Sequence, residues 1–287
     1  MSMTPSTGLN LDARQRAMLQ AMHIKVWQPD SPADDGLATP TALVALPAPA
    51  APLPRVPVSL PAVPSSTPPA AAQAGLSPRP DGIDQMDWPT LAQAVSGCRA
   101  CGLCESRKNT VFGVGQLPVA PATSPQVDWL IVGEAPGENE DLAGEPFVGQ
   151  AGKLLDNMLR AIGLDRHNKV YIANVLKCRP PVNRNPEPHE VAQCTPYLRR
   201  QIELLQPKII LAMGRFAMNA LLDASVPEVH KLPLGKLRGQ IHHCQSAGRA
   251  VPVIVTYHPA YLLRNLPEKA KAWADLCLAL DVMRRAP

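Results

Sequence analysis

Two kinds of hydrophobic pattern alternate along this chain. Short apolar or β-branched runs at 128–134, 169–176, 208–214, 237–244 and 251–257 have the length of strands and are cut by Gly, Pro or Asn. Between them, apolar residues recur with a helical period. Leu154, Leu155, Met158, Leu159 and Ile162 mark a helix over 150–164 that ends at Gly163. Val191, Cys194, Leu198, Ile202 and Leu205 mark a second, starting near Pro186-Glu187. A short helix is predicted over 215–222 and a last one over 267–284, with Ala270, Trp273, Leu276, Leu280 and Met283 on one face. A further helix over 86–95 leads into Gly97-Cys98. Strands alternating with helices predict a mostly parallel sheet covered on both faces. In such folds function gathers beyond the carboxyl ends of the strands, so the loops 134–149, 177–186 and 258–265 are expected to converge.

The first 85 residues follow another pattern. Met18, Leu19 and Met22 share one face of a helix predicted within 10–27, with Asp12 as a possible cap. Such a peptide is too small to fold alone. It fits a segment that docks on a replication or repair partner, with a weakly packed terminal helix as the plain alternative. Residues 28–85 are dominated by Pro, Ala and Ser, have no period, and read as a disordered spacer. The expected domains are therefore 1–27, 28–85 and a folded unit over 86–287.

Composition sharpens this division. About half of the 33 prolines precede residue 90, which leaves roughly 200 residues for one ordinary core. A net charge of +4 is compatible with a polyanionic partner without requiring one. No apolar run approaches the ~18 residues of a membrane span, and the N-terminus lacks a charged-then-apolar leader pattern. A soluble cytoplasmic protein is expected, in which the seven cysteines are not paired as disulfides.

Clustered thiols in that setting point to a metal. Cys98 and Cys101 form a C-x2-C pair, and fifteen residues separate Cys178 from Cys194. Such a set can hold zinc or an iron–sulfur cluster, and spacing alone does not separate them. Cys104 is a fifth thiol that could replace Cys98 or Cys101. Cys244 and Cys277 read as small buried hydrophobes. A second constellation follows the strand 128–134, where Glu134, Glu138, Glu140, Asp141, Phe147 and several glycines share one loop. Glycines admit close backbone approach and a ring can stack, as a site for a small planar ligand requires.

GEAPGENEDLAGEPFVGQAGKLLD, VYIANVLKCRPPVNRNP and HPAYLLR together resemble the motifs of the family 4 uracil-DNA glycosylases, over about 88–284. The resemblance implies a three-layer α/β/α sandwich and a monofunctional enzyme of base excision repair. Such an enzyme flips uracil out of single- or double-stranded DNA and hydrolyses its glycosidic bond. It implies that Glu134 organises the attacking water and that the backbone at Ala135 meets a uracil carbonyl. Phe147 would stack on the base, Asn174 would read its edge and Glu140 would exclude a 5-methyl group. His258 would face the departing uracil, while Leu262 and Arg264 would belong to the loop that enters the duplex. Cys98, Cys101, Cys178 and Cys194 would hold a structural [4Fe-4S] cluster, with zinc as the alternative. A monomer associated with the nucleoid follows, with no membrane partner. A related branch bonds covalently to DNA through a loop histidine. Here His189 falls inside a predicted helix, so that version is rejected. The competing reading is a DNA-binding iron–sulfur adaptor with a relic pocket; an iron–sulfur electron carrier has less support.

Overall fold

The structure, a computed structural model, describes residues 17–20, 76–117 and 127–285. Residues 17–20 are helical. The rest of the helix expected over 10–27, and the spacer up to residue 75, lie outside the described residues.

Helix α1 (Trp88–Ser96) starts where expected, because Asp87 accepts a hydrogen bond from the Thr90 amide at 2.9 Å and Pro89 occupies its first turn. Helix α2 (Leu103–Ser106) follows, then strands β1 (Val114–Gly115) and β2 (Trp129–Gly133) and helices α3 (Glu138–Ala143) and α4 (Gln150–Ala161). Next come β3 (Val170–Asn174), α5 (Pro188–Leu205), β4 (Ile209–Met213), α6 (Arg215–Leu222), α7 (Leu234–Leu237), β5 (Ile241–Ser246) and β6 (Arg249–Thr256). The chain closes with α8 (Pro259–Arg264) and α9 (Lys269–Arg285).

The strands form one six-stranded sheet in the order β1-β3-β2-β4-β6-β5. The inner pairs β3-β2, β2-β4 and β4-β6 are parallel, and the two edge strands are antiparallel to their neighbours. Alternation along β4 shows how the layers arise. Ile210 and Ala212 pack with Leu198, Ile202, Met218 and Leu221 of α5 and α6. Ile209, Leu211 and Met213 pack on the other face with Leu155, Met158, Leu276 and Ala279 of α4 and α9. The result is the expected three-layer α/β/α sandwich. No helix among the described residues is long and apolar enough to cross a membrane.

Three boundaries differ from expectation. Residues 77–85, assigned to the spacer, belong to the folded unit: Ile83 is buried, Ser77 N donates to Arg99 O at 3.1 Å, and Arg79 reaches Gln193 on α5. The loop 134–149 contains α3, whose acid-rich sequence masks its period. The strand expected from 237 starts at Ile241, because 234–237 is a helical turn and Gly239 takes a left-handed φ of 68°.

Candidate functional site

The carboxyl ends of β2, β3, β4 and β6 open on one edge of the sheet into a cavity of about 610 Å3. Each strand delivers a different group to it. Glu134 and Ala135 follow β2, Asn174 ends β3, Arg215 follows β4 and His258 follows β6. Glu140, Phe147, Arg184 and Arg264 complete the polar and aromatic wall. The three loops expected to converge therefore do so.

Phe147 is held in an unusual conformation. Its φ is 56°, a left-handed value that a bulky residue rarely adopts without constraint. Two glycines make room for it. A Cβ at Gly133 would sit 2.5 Å from Phe147 Cζ and 2.4 Å from Asn174 Oδ1, and one at Gly152 only 1.7 Å from Phe147 O. The ring lies beside His258, with centroids 5.4 Å apart and planes tilted by 31°. Glu140 fastens the surrounding loop. Its carboxylate accepts from the amides of Gly137 at 3.0 Å, Val148 at 3.1 Å and Gly149 at 3.0 Å. It thus caps α3 and pins the chain after Phe147 while still lining the cavity.

Asn174 is buried, and its Oδ1 has no hydrogen-bond partner. An unpaired buried acceptor costs about 1–3 kcal/mol, so its presence at a cavity wall marks a place where a ligand donor belongs. Glu134 is pushed above the ordinary carboxylate range by burial, against the pull of the nearby Arg215. Burial, and secondarily Arg264, bring His258 down to about 4. The imidazole is therefore neutral near pH 7. The Ala260 amide donates to His258 Nδ1 at 3.2 Å, which assigns the ring proton to Nε2. His258 thus offers a neutral N–H donor.

The thiols of Cys98, Cys101, Cys104, Cys178 and Cys194 line a second, smaller recess behind the loop after β3. Cys101, Cys178 and Cys194 are buried. Burial pushes Cys178 up to about 11 and Cys194 up to about 12, while Arg107, which donates to Cys178 Sγ at 3.0 Å, acts against the first shift. No three of these sulfurs lie within 4.8 Å of one another. Four thiolates around one zinc, at about 2.3 Å each, would stand about 3.8 Å apart. The ligand atoms of Glu187, His189 and Glu190 do approach within 4.8 Å. There the Glu190 carboxylate is already engaged, by Arg184 at 2.6 Å and 3.0 Å and by the Glu187 amide at 2.8 Å. His189 itself lies on α5, as expected.

Some expected surface residues are not at the surface. Leu262 has no exposed area and packs in the core with Leu154 and Leu276, so the expectation that it enters a duplex is corrected. The apolar residues that α8 presents outward are Tyr261 and Leu263, 37% and 42% exposed. Lys177, in the loop after β3, is buried and donates to Asn174 O at 2.8 Å and Gln201 Oε1 at 2.6 Å. Its ammonium is brought down to about 7 by burial. Arg238 pairs with the buried Asp275 at 2.8 Å and lies over the Tyr257 ring. Arg264 does line the cavity.

Other contributors were missed. Arg215 reads in sequence as a loop cation suited to phosphate, and nothing there shows its pull on Glu134. Gly133 and Gly152 stand out only once Phe147 is known to press on both. Arg166 carries no local signal, yet it donates to Phe147 O at 2.7 Å.

Residues 120–277 match the model of the uracil DNA glycosylase superfamily. The chain is 43% identical over 173 residues to the type-4 uracil-DNA glycosylase of Archaeoglobus fulgidus, covering 60% of this chain and 81% of that protein. It is 41% identical over 186 residues to the type-4 enzyme of Saccharolobus solfataricus, covering 64% and 80%. With that of Pyrobaculum aerophilum it shares 40% identity over 193 residues, covering 67% and 93%.

Proposed function

The chain belongs to the uracil DNA glycosylase superfamily, and from that premise we propose how its own residues act. It is a uracil-DNA glycosylase of DNA repair, a hydrolytic N-glycosylase. Uracil stacked and paired inside a duplex is out of reach of a cavity at the end of the sheet, so the nucleotide is flipped, at a cost of a few kcal/mol. Phe147 stacks on the base and recovers about 1–3 kcal/mol of that cost. The unpaired Oδ1 of Asn174 is the observation that carries the assignment of the base site. It accepts from uracil N3–H, and the amide NH2 donates to O4. Cytosine presents the reverse pattern and leaves both groups unpaired, which penalises it strongly. Glu140 is assigned the exclusion of a 5-methyl group and the backbone at Ala135 the contact with a uracil carbonyl, a reading supported by their place in the cavity wall.

Bond cleavage places negative charge on the departing uracil. The neutral Nε2–H of His258 is aimed at O2, where it stabilises the transition state more than the ground state. Glu134 orients the water that attacks the sugar. Position 135 is alanine, so no second carboxylate serves as base there; an oxocarbenium-like centre needs a positioned water more than an activated one. Arg264 contacts the DNA backbone near the flipped nucleotide, on single- or double-stranded substrate.

Cys98, Cys101, Cys178 and Cys194 hold a [4Fe-4S] cluster, a reading supported by the recess that these four residues share. When bound, the cluster supplies a cross-link between the N-terminal Cys loop and α5. The folded unit acts as a monomer in the cytoplasm, at the nucleoid. Residues 10–27 dock on a repair or replication partner, and 28–75 act as the spacer.

The test is release of free uracil from a uracil-containing oligonucleotide by protein purified without oxygen. Release with an iron–sulfur absorbance band supports both parts of the reading. No release with the cluster intact would favour the adaptor reading, and colourless zinc protein with full activity would replace the cluster.

A further inference from the structure

Phe147 and Asn183 both line the pocket with a left-handed φ, 56° and 53°; Phe147 carries the bulky ring, and something must hold it there. On its C-terminal side the amides of Val148 and Gly149 are tied to Glu140. The carbonyls before and at the ring are tied elsewhere. Arg166, in the turn between α4 and β3, donates from one Nη to Pro146 O at 3.1 Å and from the other to Phe147 O at 2.7 Å. Its Nε is occupied by Asp156 Oδ1 at 2.7 Å, which fixes the plane of the guanidinium. Arg166 is only 17% exposed, and Asp156 is anchored on α4. A rigid fork therefore grips two successive carbonyls of a left-handed turn, and only the arginine head group matches that geometry.

We propose that Arg166, oriented by Asp156, is a positioning residue for the stacking ring: it holds the Phe147 backbone in the conformation that brings the ring over the flipped base. This rests on the reading of Phe147 as the stacking residue. Arg166 does not touch the base, so its entire effect on turnover passes through Phe147. Its side chain carries a charge into the neighbourhood of the pocket without presenting it to DNA. Lysine can satisfy only part of the fork, and Asp156→Asn keeps the shape while weakening the anchor.

The experiment is a double-mutant cycle in single-turnover uracil release, using Arg166→Ala and Phe147→Ala, with the melting temperature followed in parallel. Phe147→Ala is expected to slow release about 5- to 100-fold, the worth of a base–aromatic stack. Arg166→Ala is expected to slow it about tenfold in the native background and less than about twofold in the Phe147→Ala background. Arg166→Lys is expected to restore part of the rate, and Asp156→Asn to lose less than Arg166→Ala does. Equal losses from Arg166→Ala in both backgrounds would overturn the positioning role, because a general loss of folding lowers both alike. A neutral Phe147→Ala would remove the stacking reading itself, and the inference with it. If Arg166→Ala does not fold, the same cycle with Arg166→Lys and Asp156→Asn decides: additivity with Phe147→Ala rejects the proposal, and non-additivity sustains it.

Discussion

Asn174 and Lys177 stand three residues apart at the end of β3, both buried, and they are finished in opposite ways. Lys177 has its ammonium against Asn174 O, Gln201 Oε1 and, at 3.4 Å, Phe112 O. Asn174 leaves Oδ1 without any partner. One side chain is internal scaffolding between the cavity and the thiol recess; the other is incomplete until something enters. A buried polar group that is satisfied holds the fold, and one left unsatisfied at a cavity wall has room for a ligand.

Substitutions at the two positions should therefore separate activity from stability. The largest effect is expected from Asn174→Asp, which replaces the amide donor with a carboxylate. Uracil release should fall by about 10⁴-fold, with discrimination against other bases weakened. Its melting temperature should fall modestly, because a buried carboxyl there is either held protonated or desolvated. A large loss of stability with selectivity intact would contradict the comparison. His258→Ala should cost about 10²–10³ in rate, measured in single turnover, through loss of one donor to the leaving uracil. Lys177→Met should act the other way. It leaves Asn174 O and Gln201 Oε1 unpaired, costs about 1–3 kcal/mol for each, and is read as a lower melting temperature.

The α8 helix offers the same contrast on a smaller scale. Leu262→Ala should destabilise by about 2–5 kcal/mol through a core cavity. Leu263→Ala should leave stability within about 0.5 kcal/mol and weaken only activity on double-stranded substrate. The smallest effect concerns pH. The folded value of His258, about 4, lies below the ordinary 6.5. Between those values the unfolded chain binds the proton and the native one does not. The contribution of His258 to stability should thus be lost as pH drops from about 6.5 to about 4 and be constant above that window. The acid limb of kcat/KM should instead follow Glu134, above the ordinary carboxylate range, and disappear in Glu134→Gln.

Much of this was legible in the chain. The buried strands announce themselves because all five residues of β2, β3 and β4 are covered on both faces, so their sequences are continuously apolar. Glu134, Asn174 and His258 were legible because the end of a parallel strand is where polarity interrupts such a run. The α8 surface was not: Leu262 and Leu263 are chemically alike, and only packing against α4 decides which one is hidden. Residues 77–85 were misread because Pro and Gly mark a docked extended segment and a free one identically. Arg166 was invisible because its partners are backbone carbonyls, which no side-chain pattern records.

The order of the strands divides the pocket between two stretches of chain. Glu134, Phe147 and Asn174 all precede α6, whereas His258 arrives on β6, after the exposed turn at 223–228. The seam between the halves is the parallel β4-β6 ladder together with the packing of α8 and α9 against α4 and β4. Cutting the chain at that turn would yield one fragment that carries the base-reading wall and another that carries the leaving-group donor. Neither would excise uracil alone. Fused to two interacting proteins, they would make a split enzyme whose turnover reports reassembly across that seam.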